Sequence, residues 1–246
     1  MARVVASIEA RMGSSRLPGK VLSDVVGKPA LTRLVARLRL CDLVDDIVLA
    51  TSTERGDDVL EKWALDEGVA CYRGSENDVL LRVVEAHKKM QTEVIVEITG
   101  DCILTDPEII DMGVRTFLEH DCDVVSNCFK SGFPLGLFVQ VFRAEDLYDV
   151  ARRIDDPAVR EHVSLYFYEH PELYRLIHLF PPKRWSAPDL RLCLDYPEDL
   201  ELNRRIYEML EPSYGEAFGI EEIIQLFRTD PGLAAINSKC VEKSAR

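Results

Sequence analysis

Short runs of β-branched residues alternate along the chain with amphipathic segments of helical period. Strands are predicted at residues 4–8, 47–50, 69–72, 93–98 and 123–126. Helices are predicted between them at 57–67 and 79–89, after a first helix with its apolar face at Leu31, Leu34, Val35 and Leu38. Because parallel strands need crossover connections, this alternation predicts an α/β fold: a mostly parallel sheet in a three-layer α/β/α arrangement.

A further helix start is encoded at residues 106–108. Asp106 can accept hydrogen bonds from the first free N–H groups, Pro107 suits the first turn, and Glu108 places an acid at the positive end of the helix dipole. The predicted apolar face of this helix consists of Ile110, Val114, Phe117 and Leu118.

The regular alternation ends near residue 127. Gly132, Pro134 and Gly136 interrupt the pattern, and residues 138–142 then alternate like a strand. We therefore predict a small flap or dimerisation lobe over about 127–186, inserted in one domain that spans 1–246. A strand at 190–194 and C-terminal helices within about 198–230 are predicted to complete this domain.

Composition narrows the function classes. The 246 residues contain 30 Lys and Arg against 43 Asp and Glu, a formal net charge of −13. Such a chain is too acidic to bind nucleic acid or an anionic membrane by bulk charge, so we expect neither partner. The seven cysteines show no Cys-x-x-Cys spacing, which argues against a zinc site and a disulfide framework, and no apolar run approaches the ~20 residues of a membrane span. We expect a cytoplasmic protein with reduced thiols.

The loop after the first predicted strand is rich in positive charge, unlike the rest of this acidic chain. Residues 9–20 contain three cations, Arg11, Arg16 and Lys20, together with small and hydroxylated residues. Small residues let backbone N–H groups approach an anion, and the cations suit a triphosphate. The segment matches neither the Walker A nor the dinucleotide glycine pattern. A solvated turn with incidental charges is the alternative reading.

Residues 11–20, Arg-Met-Gly-Ser-Ser-Arg-Leu-Pro-Gly-Lys, closely resemble the signature of the sugar cytidylyltransferases, the group that contains CMP-Kdo synthetase and acylneuraminate cytidylyltransferase. The sequence is most similar to the spore-coat-polysaccharide-type branch. Further matches follow in order at residues 73–80, 98–102, 106–110, 160–163 and 192–200, so the resemblance covers roughly residues 3–210. It implies a GT-A-like, Rossmann-like nucleotide-binding fold.

The resemblance also implies roles for individual residues. Nucleotide binding falls to Arg11, Gly13, Ser14, Ser15, Arg16, Lys20, Arg73, Gly74, Ser75 and Thr99. Asp101 and Asp195 match two carboxylates that bind Mg²⁺, the implied cofactor, and carboxylates with substrate phosphates are ligands that Mg²⁺ prefers. A turn residue at Asp101 and a helix cap at Asp195 are the plainer alternatives.

The implied reaction transfers CMP from CTP to an acidic sugar or related acceptor with release of pyrophosphate, for surface polysaccharide biosynthesis. Lys20, Arg16 and Asp101 are the expected catalytic residues, because positioning and charge neutralisation are the main tasks of such a site. No covalent nucleophile is required. The expected partners are CTP, a small anionic acceptor and a second copy of the chain in a homodimer.

Some residues depart from the family pattern. Leu135, Phe138 and Gln140 stand where the branch carries acids, Glu9 stands where glutamine is usual, and Ile103 replaces a proline. The departures leave three possibilities open: an acidic sugar as acceptor, a phosphonate or other non-sugar anion, and loss of activity with retention of the fold. The candidate acceptor-binding residues are Gln140, Arg160 and His162.

Two other functions compete with this hypothesis. A GT-A-like glycosyltransferase is expected to carry an Asp-x-Asp metal motif, and none occurs near Asp101. A non-catalytic nucleotide-binding homologue would bind CTP without turnover.

Overall fold

A seven-stranded sheet forms the centre of the part of the chain described by the computed structural model, residues 2–128 and 132–242. Its strands are β1 (Val4–Glu9), β4 (Asp46–Ser52), β5 (Ala70–Gly74), β6 (Val94–Thr99), β7 (Val124–Ser126), β8 (Gln140–Arg143) and β9 (Leu176–His178). They lie in the order β5-β4-β1-β6-β8-β7-β9, and only β8 runs antiparallel to its neighbours. The short strands β2 (Asp24–Val25) and β3 (Lys28–Pro29) pair separately.

Helices cover both faces of the sheet. One layer contains α1 (Ala30–Leu38), α2 (Asp58–Glu67), α4 (Pro107–Glu119), α8 (Pro197–Tyr214), α9 (Ile220–Thr229) and the short α10 (Leu233–Ile236). The opposite layer contains α3 (Val79–Met90), α5 (Ala144–Arg153), α6 (Pro157–Glu161) and α7 (Leu165–Glu169). The predicted α/β/α class with a mostly parallel sheet is therefore confirmed. No helix within the described ranges is long and apolar enough to cross a bilayer.

The two faces of the sheet differ in polarity. On the α1 side, strand positions such as Ala6, Val96 and Val141 are all buried and apolar. On the α3 side, Val5 and Ile95 belong to the second core, but the next positions along the same face are Ser7 and Glu97. The α3-side face thus changes from apolar to polar toward the carboxyl ends of the central strands.

Helix α4 begins as the sequence predicts. Asp106 accepts hydrogen bonds from the N–H groups of Glu108 (2.8 Å) and Ile109 (3.3 Å), and Pro107 occupies the first turn. Ile110, Val114 and Phe117 are buried, but Leu118 is 49% exposed, so its assignment to the apolar face was wrong. Its position on the helix points it away from the sheet.

Part of the segment after residue 127 belongs to the central sheet. Its residues 140–143 and 176–178 form β8 and β9 of the central sheet, while residues 129–131 lie outside the described part. The strand predicted at 190–194 is absent. That segment makes a single bridge between Leu135 and Arg191, because the N–H of Leu194 donates to the carbonyl oxygen of Asp101 (2.8 Å) instead of joining a ladder.

Two buried arginines tie α1 to the C-terminal part of the chain. Arg37 is fully buried, and its guanidinium donates to the carbonyl oxygens of Thr105 (2.6 Å), Glu216 (2.7 Å) and Phe218 (2.7 Å). Arg33 is also fully buried and binds Glu211 and Glu216. The segment that leads into α9 is therefore held by buried charge-assisted hydrogen bonds as well as by apolar packing.

We expect Arg37→Met to lower the free energy of unfolding by about 3–5 kcal/mol, because methionine fills similar space but leaves three buried carbonyl groups without donors. Urea denaturation followed by circular dichroism measures the change. Arg39→Met is the matched control, since the Arg39 side chain is about half exposed. Equal stability of the two variants would contradict the proposed role of Arg37.

Candidate active site

A cavity of about 970 Å³ opens at the carboxyl ends of β1 and β6. This is the edge at which open α/β sheets bind ligands. Its wall contains both the loop after β1 and the segment that precedes α8. The cavity therefore joins the two regions in which the sequence places its main functional residues.

The loop after β1 is a compact turn. The carbonyl oxygen of Met12 accepts hydrogen bonds from the N–H groups of Ser14 (2.9 Å) and Gly19 (3.0 Å). Asp57, at the N-terminus of α2, accepts a hydrogen bond from the N–H of Met12 (2.7 Å). This bond fixes the loop to the start of α2. Gly19 has φ +71, a left-handed conformation that favours glycine, and it directs the chain into the short helix Lys20–Leu22.

Lys20 lies at the centre of the site. Its ammonium Nζ is 2.8 Å from Oδ2 of Asp101 and 2.8 Å from Oδ1 of Asp195. The three groups come from positions far apart in the sequence: the loop after β1, the end of β6 and the start of α8. One cation therefore bridges the two carboxylates that the family resemblance assigns to a metal site.

Tight backbone packing brings Asp101 to this position. The N–H of Gly100 donates to the carbonyl oxygen of Glu9 (2.9 Å), so the turn after β6 lies against the end of β1. A Cβ at position 100 would be 2.9 Å from the Cβ of Ala10 and 3.0 Å from the Glu9 oxygen. Glycine is required here by close approach, and the turn aims Asp101 into the cavity.

Asp195 is held by cations and by an acidic cap. Its Oδ1 is 2.7 Å from Nη2 of Arg16, and its Oδ2 is 3.0 Å from Nη2 of Arg191. The N–H groups of Asp195 and Tyr196 both donate to Oδ2 of the fully buried Asp199 (3.0 Å each). Asp199, and not Asp195, thus caps the start of α8, which leaves the Asp195 carboxylate free to face the cavity.

Burial and charge act in opposite directions on the central groups. Burial alone would raise the pKa of Asp101, but the Lys20 ammonium and hydrogen bonds from Lys20 and Thr99 outweigh it and lower this pKa. Burial alone would lower the pKa of Lys20, but the charges of Asp101 and Asp195 outweigh it and raise this pKa. Both groups are therefore charged at neutral pH.

Asp101 and Asp195 are the groups that fit a hard divalent ion. Their oxygens already converge on a single cationic atom, and carboxylate oxygen is the donor that Mg²⁺ prefers. Within the described ranges, no group of three or more His, Cys, Asp or Glu side chains is arranged to hold a metal. An ion at this place would need its remaining ligands from substrate or water.

Most of the predicted site residues meet at this cavity. Those that line it are Arg11, Gly13, Ser14, Ser15, Arg16, Lys20, Thr99, Asp101, Asp195, Gln140 and His162. Arg11 lies at the rim, where its Nη1 is 3.3 Å from Oε1 of Glu76. The cationic loop, the two aspartates and two of the acceptor candidates therefore share one space.

Four predicted residues are not part of the cavity wall: Arg73, Gly74, Ser75 and Arg160. The Arg73 guanidinium pairs with Asp58 (2.7 Å) and Glu61 (2.9 Å), because the end of β5 faces α2. Arg160 pairs with Asp78 (3.2 Å) and donates to the carbonyl oxygen of Ala151 (2.7 Å). In this structure, Arg73 and Arg160 therefore tie neighbouring segments together.

Several cavity residues were missed by sequence reasoning. Glu97 and Arg82 are both buried and line the wall, and Ser164 lines it from the α7 side. The sequence does indicate Glu97, since it is the one acid inside the apolar strand Val94–Thr99. It does not indicate Ser164, because only the packing of α7 against β8 brings this residue to the cavity. Tyr168 belongs to an aromatic run that the sequence offers as a possible pocket wall, and it does line the cavity.

Comparison with known proteins agrees with this geometry. The cytidylyltransferase family model matches residues 5–223. The spore coat polysaccharide biosynthesis protein SpsF of Bacillus subtilis is 36% identical over 92% of this chain and 95% of its own length. The 3-deoxy-manno-octulosonate cytidylyltransferase of Chlorobium luteolum is 30% identical over 89% of this chain and 83% of its own.

The fold matches that of a solved structure over nearly the whole chain. A cytidylyltransferase from Leptospira borgpetersenii superposes with a TM-score of 0.89 at 28% identity, over 99% of this chain and all of the other. The family model, the relatives and the fold thus point to one activity class, that of a nucleotidyltransferase. The chain belongs to the cytidylyltransferase family.

Proposed function

We propose that this protein transfers CMP from CTP to a small acidic sugar acceptor, with Mg²⁺ as cofactor, and releases pyrophosphate. The observation that carries the proposal is the bridge by which Lys20, at the end of the cationic loop 9–20, joins Asp101 and Asp195. A chain with a formal net charge of −13 has here a local site for a polyanion. The names of two relatives, a spore coat polysaccharide biosynthesis protein and a 3-deoxy-manno-octulosonate cytidylyltransferase, support a sugar acceptor and a role in surface polysaccharide synthesis.

The loop residues would bind the triphosphate. Arg11 and Arg16 lie at the open side of the cavity and offer forked donors to phosphate oxygens. Lys20 is better placed for the reacting phosphate, because it already lies between the two aspartates. When CTP binds, the Arg16 guanidinium exchanges an aspartate partner for phosphate, so its charge stays neutralised.

Asp101 and Asp195 would hold the Mg²⁺ ion at the place where they now share the Lys20 ammonium. When bound, the ion supplies neutralisation of phosphate charge and orientation of the triphosphate. The carboxylates are preorganised for this task by Thr99, which donates to Asp101 (2.7 Å), and by Arg191, which holds Asp195. Lys20 would then donate to the phosphate instead.

The chemistry needs no covalent enzyme intermediate. An acceptor oxygen attacks the α-phosphorus, a new phosphorus–oxygen bond forms, and the bond to the leaving pyrophosphate breaks. Lys20 and Arg16 stabilise the charge that moves onto the phosphate oxygens. His162 lines the cavity and is the candidate base for the proton of the acceptor hydroxyl.

Pyrophosphate release with each of the four nucleoside triphosphates, over a panel of sugar-acid and phosphonate acceptors, tests this function. We expect turnover with CTP and a sugar acid in the presence of Mg²⁺. A phosphonate as the preferred acceptor would identify the alternative class of substrate. Turnover restricted to ATP or GTP would refute the proposed nucleotide, and CTP binding without turnover of any acceptor would favour a non-catalytic role.

The homodimer and the cytoplasmic location expected from the sequence stay predictions. Phe180 and Leu173, both in the predicted lobe, are large apolar side chains with more than half of their surface exposed. Such side chains are suited to contact with a second subunit. Sedimentation velocity determines whether the chain is a dimer in solution.

We expect Lys20→Ala to reduce kcat by about 30-fold to 1,000-fold, because about 2–4 kcal/mol of transition-state stabilisation is lost when a cation at the reacting phosphate is removed. Steady-state pyrophosphate release measures the effect. Lys28→Ala is the matched control, since Lys28 pairs with Glu216 and lies outside the cavity wall. A Lys20→Ala enzyme with the wild-type kcat would remove Lys20 from the catalytic residues.

We expect Asp101→Asn to abolish Mg²⁺-dependent activity while the protein stays folded, because an amide is a much weaker ligand for a hard cation than a carboxylate. Titration of activity with Mg²⁺ and thermal unfolding of the same sample separate the two effects. Asp121→Asn, in which the altered side chain is 83% exposed, is the control. If the variant responded to Mg²⁺ like the wild type, Asp101 would not be a metal ligand.

A further inference from the structure

A row of polar side chains crosses the sheet on its α3 side. Ser7, Glu97 and Gln140 are aligned across the adjacent strands β1, β6 and β8, and Ser126 continues the row on β7. One register step back on the same face, the aligned residues are Val5, Ile95, Phe142 and Val124, all in the second core. The polar row therefore marks the inner end of the cavity, where Glu97 and Gln140 line the wall.

One carboxyl oxygen of Glu97 is left unsatisfied in this row, although the Ser164 side chain hydrogen-bonds the same carboxyl group and partly offsets the rise in its pKa that burial causes. Its side chain is 5% exposed, and its Oε2 has no hydrogen-bond partner among the described residues. A buried carboxyl oxygen without a donor is costly to keep unless something else supplies the donor. Since Glu97 lines the cavity, a bound molecule is in a position to supply it.

Two further charged groups converge on the same space. Glu9 lies on the same face one register step further on, opposite Thr99, and lines the cavity. Arg82 is 2% exposed; its Nη1 donates to the carbonyl oxygen of Ser75 (2.7 Å), while its Nε has no partner among the described residues. The inner end thus combines the carboxyl groups of Glu97 and Glu9 with the guanidinium of Arg82, which is already held by its hydrogen bond to Ser75.

The Gln140 amide is held in a fixed orientation. Its Oε1 accepts hydrogen bonds from the hydroxyl groups of Ser164 (2.8 Å) and Tyr168 (2.6 Å). With the oxygen engaged twice, the amide NH₂ group is the part available to other partners. The inner end is therefore built by the strands together with the segment around α7, which sets the direction of the Gln140 amide.

The electrostatics of the inner end disfavour an anionic group on the part of the acceptor that would bind there. Burial raises the pKa of Glu97 to about 7, and burial together with the charge of Glu97 raises the pKa of Glu9 well above its usual range. Arg82 and the Ser7 hydroxyl oppose the shift of Glu9, and Asp101 adds to it. A carboxylate or phosphate placed here would make both carboxyl groups still harder to ionise and would offer them no donor, whereas a neutral or cationic donor would complete their hydrogen bonds.

We infer that the inner end of the cavity is a specificity subsite for hydroxyl groups on the part of the acceptor remote from its reacting oxygen, in which Glu97 and Glu9 accept hydrogen bonds and the Gln140 NH₂ group donates one. The inference rests on the proposed function. It fixes how the acceptor lies: its anionic group stays near Lys20 and Arg16, and its hydroxylated tail enters between β6 and α7. An ammonium group offers the same donor chemistry as a hydroxyl and is the second ligand to test.

The acceptor test uses 3-deoxy-manno-octulosonate and three analogues in which the terminal hydroxyl is removed, replaced by an amino group, or oxidised to a carboxylate. We expect the hydroxyl or amino compound to have the lowest KM and the carboxylate compound the highest. In assays at pH 8, above the Glu97 pKa, Glu97→Gln should raise the KM of the best compound by about tenfold and leave kcat within about threefold, as for one lost hydrogen bond to a charged group. Glu93→Gln, at an exposed residue directly before the same strand, is the control.

Two results of the acceptor test would overturn the inference. One is preference of the wild type for the carboxylate compound, and the other is a Glu97→Gln enzyme with unchanged KM for every compound. Calorimetry of CTP with Mg²⁺ keeps this test separate from that of the proposed function. CTP binding should be the same in the wild type and in Glu97→Gln, and absence of CTP binding by the wild type would be a failure of the proposed function instead.

If none of the four compounds reacts, thermal unfolding tests whether Glu97 serves a ligand or stabilises the fold. A carboxyl group kept for a ligand destabilises the empty protein once it is ionised, so Glu97→Gln should raise the melting temperature at pH 8 and have little effect at pH 5, below the Glu97 pKa. A lower melting temperature for Glu97→Gln at pH 8 would show that Glu97 stabilises the fold, and the inference would then be wrong.

Discussion

The ammonium of Lys20, shared between the carboxylates of Asp101 and Asp195, is the interaction on which the rest of the site depends. Two carboxylates that face one buried space repel each other, and a cation between them removes that repulsion. The same arrangement favours a second cation as soon as phosphate groups offer Lys20 another partner. A site that is neutralised internally in this way fits the proposed binding of a nucleotide together with Mg²⁺.

The fold brings this charge cluster together by backbone contacts at the strand ends. The turn at Gly100 packs against the end of β1, and the N–H of Leu194 donates to the carbonyl oxygen of Asp101. Parallel strands end at the same edge of a sheet, so residues far apart in the sequence meet there. Buried Arg37 binds the carbonyl oxygens of Glu216 and Phe218 and so fixes the segment before α9 against α1.

The α3-side face shows a trade between stability and function. Its inner rows are apolar and form a core, while the row at Ser7, Glu97 and Gln140 is polar and opens into the cavity. A hydrophobic residue at position 97 would pack better in the empty protein. The buried carboxyl group makes physical sense as a selector of acceptor groups, because a water-excluded carboxyl distinguishes strongly between donors and anions.

The sequence by itself determined the layer arrangement, the start of α4 and the cationic loop, because periodicity, capping and local charge are properties of neighbouring residues. It also singled out Lys20, Asp101 and Asp195, which lie in short motifs. Only the tertiary structure decided that residues 140–143 enter the central sheet, that 190–194 forms no strand, and that Arg73 and Arg160 bind acidic neighbours outside the cavity. The partners of these segments are distant in sequence, so no local pattern encodes which carbonyl or carboxylate each one meets. The same holds for Glu97: the sequence shows an acid within an apolar strand, but only the packing of α7 and the loops shows that it faces a cavity.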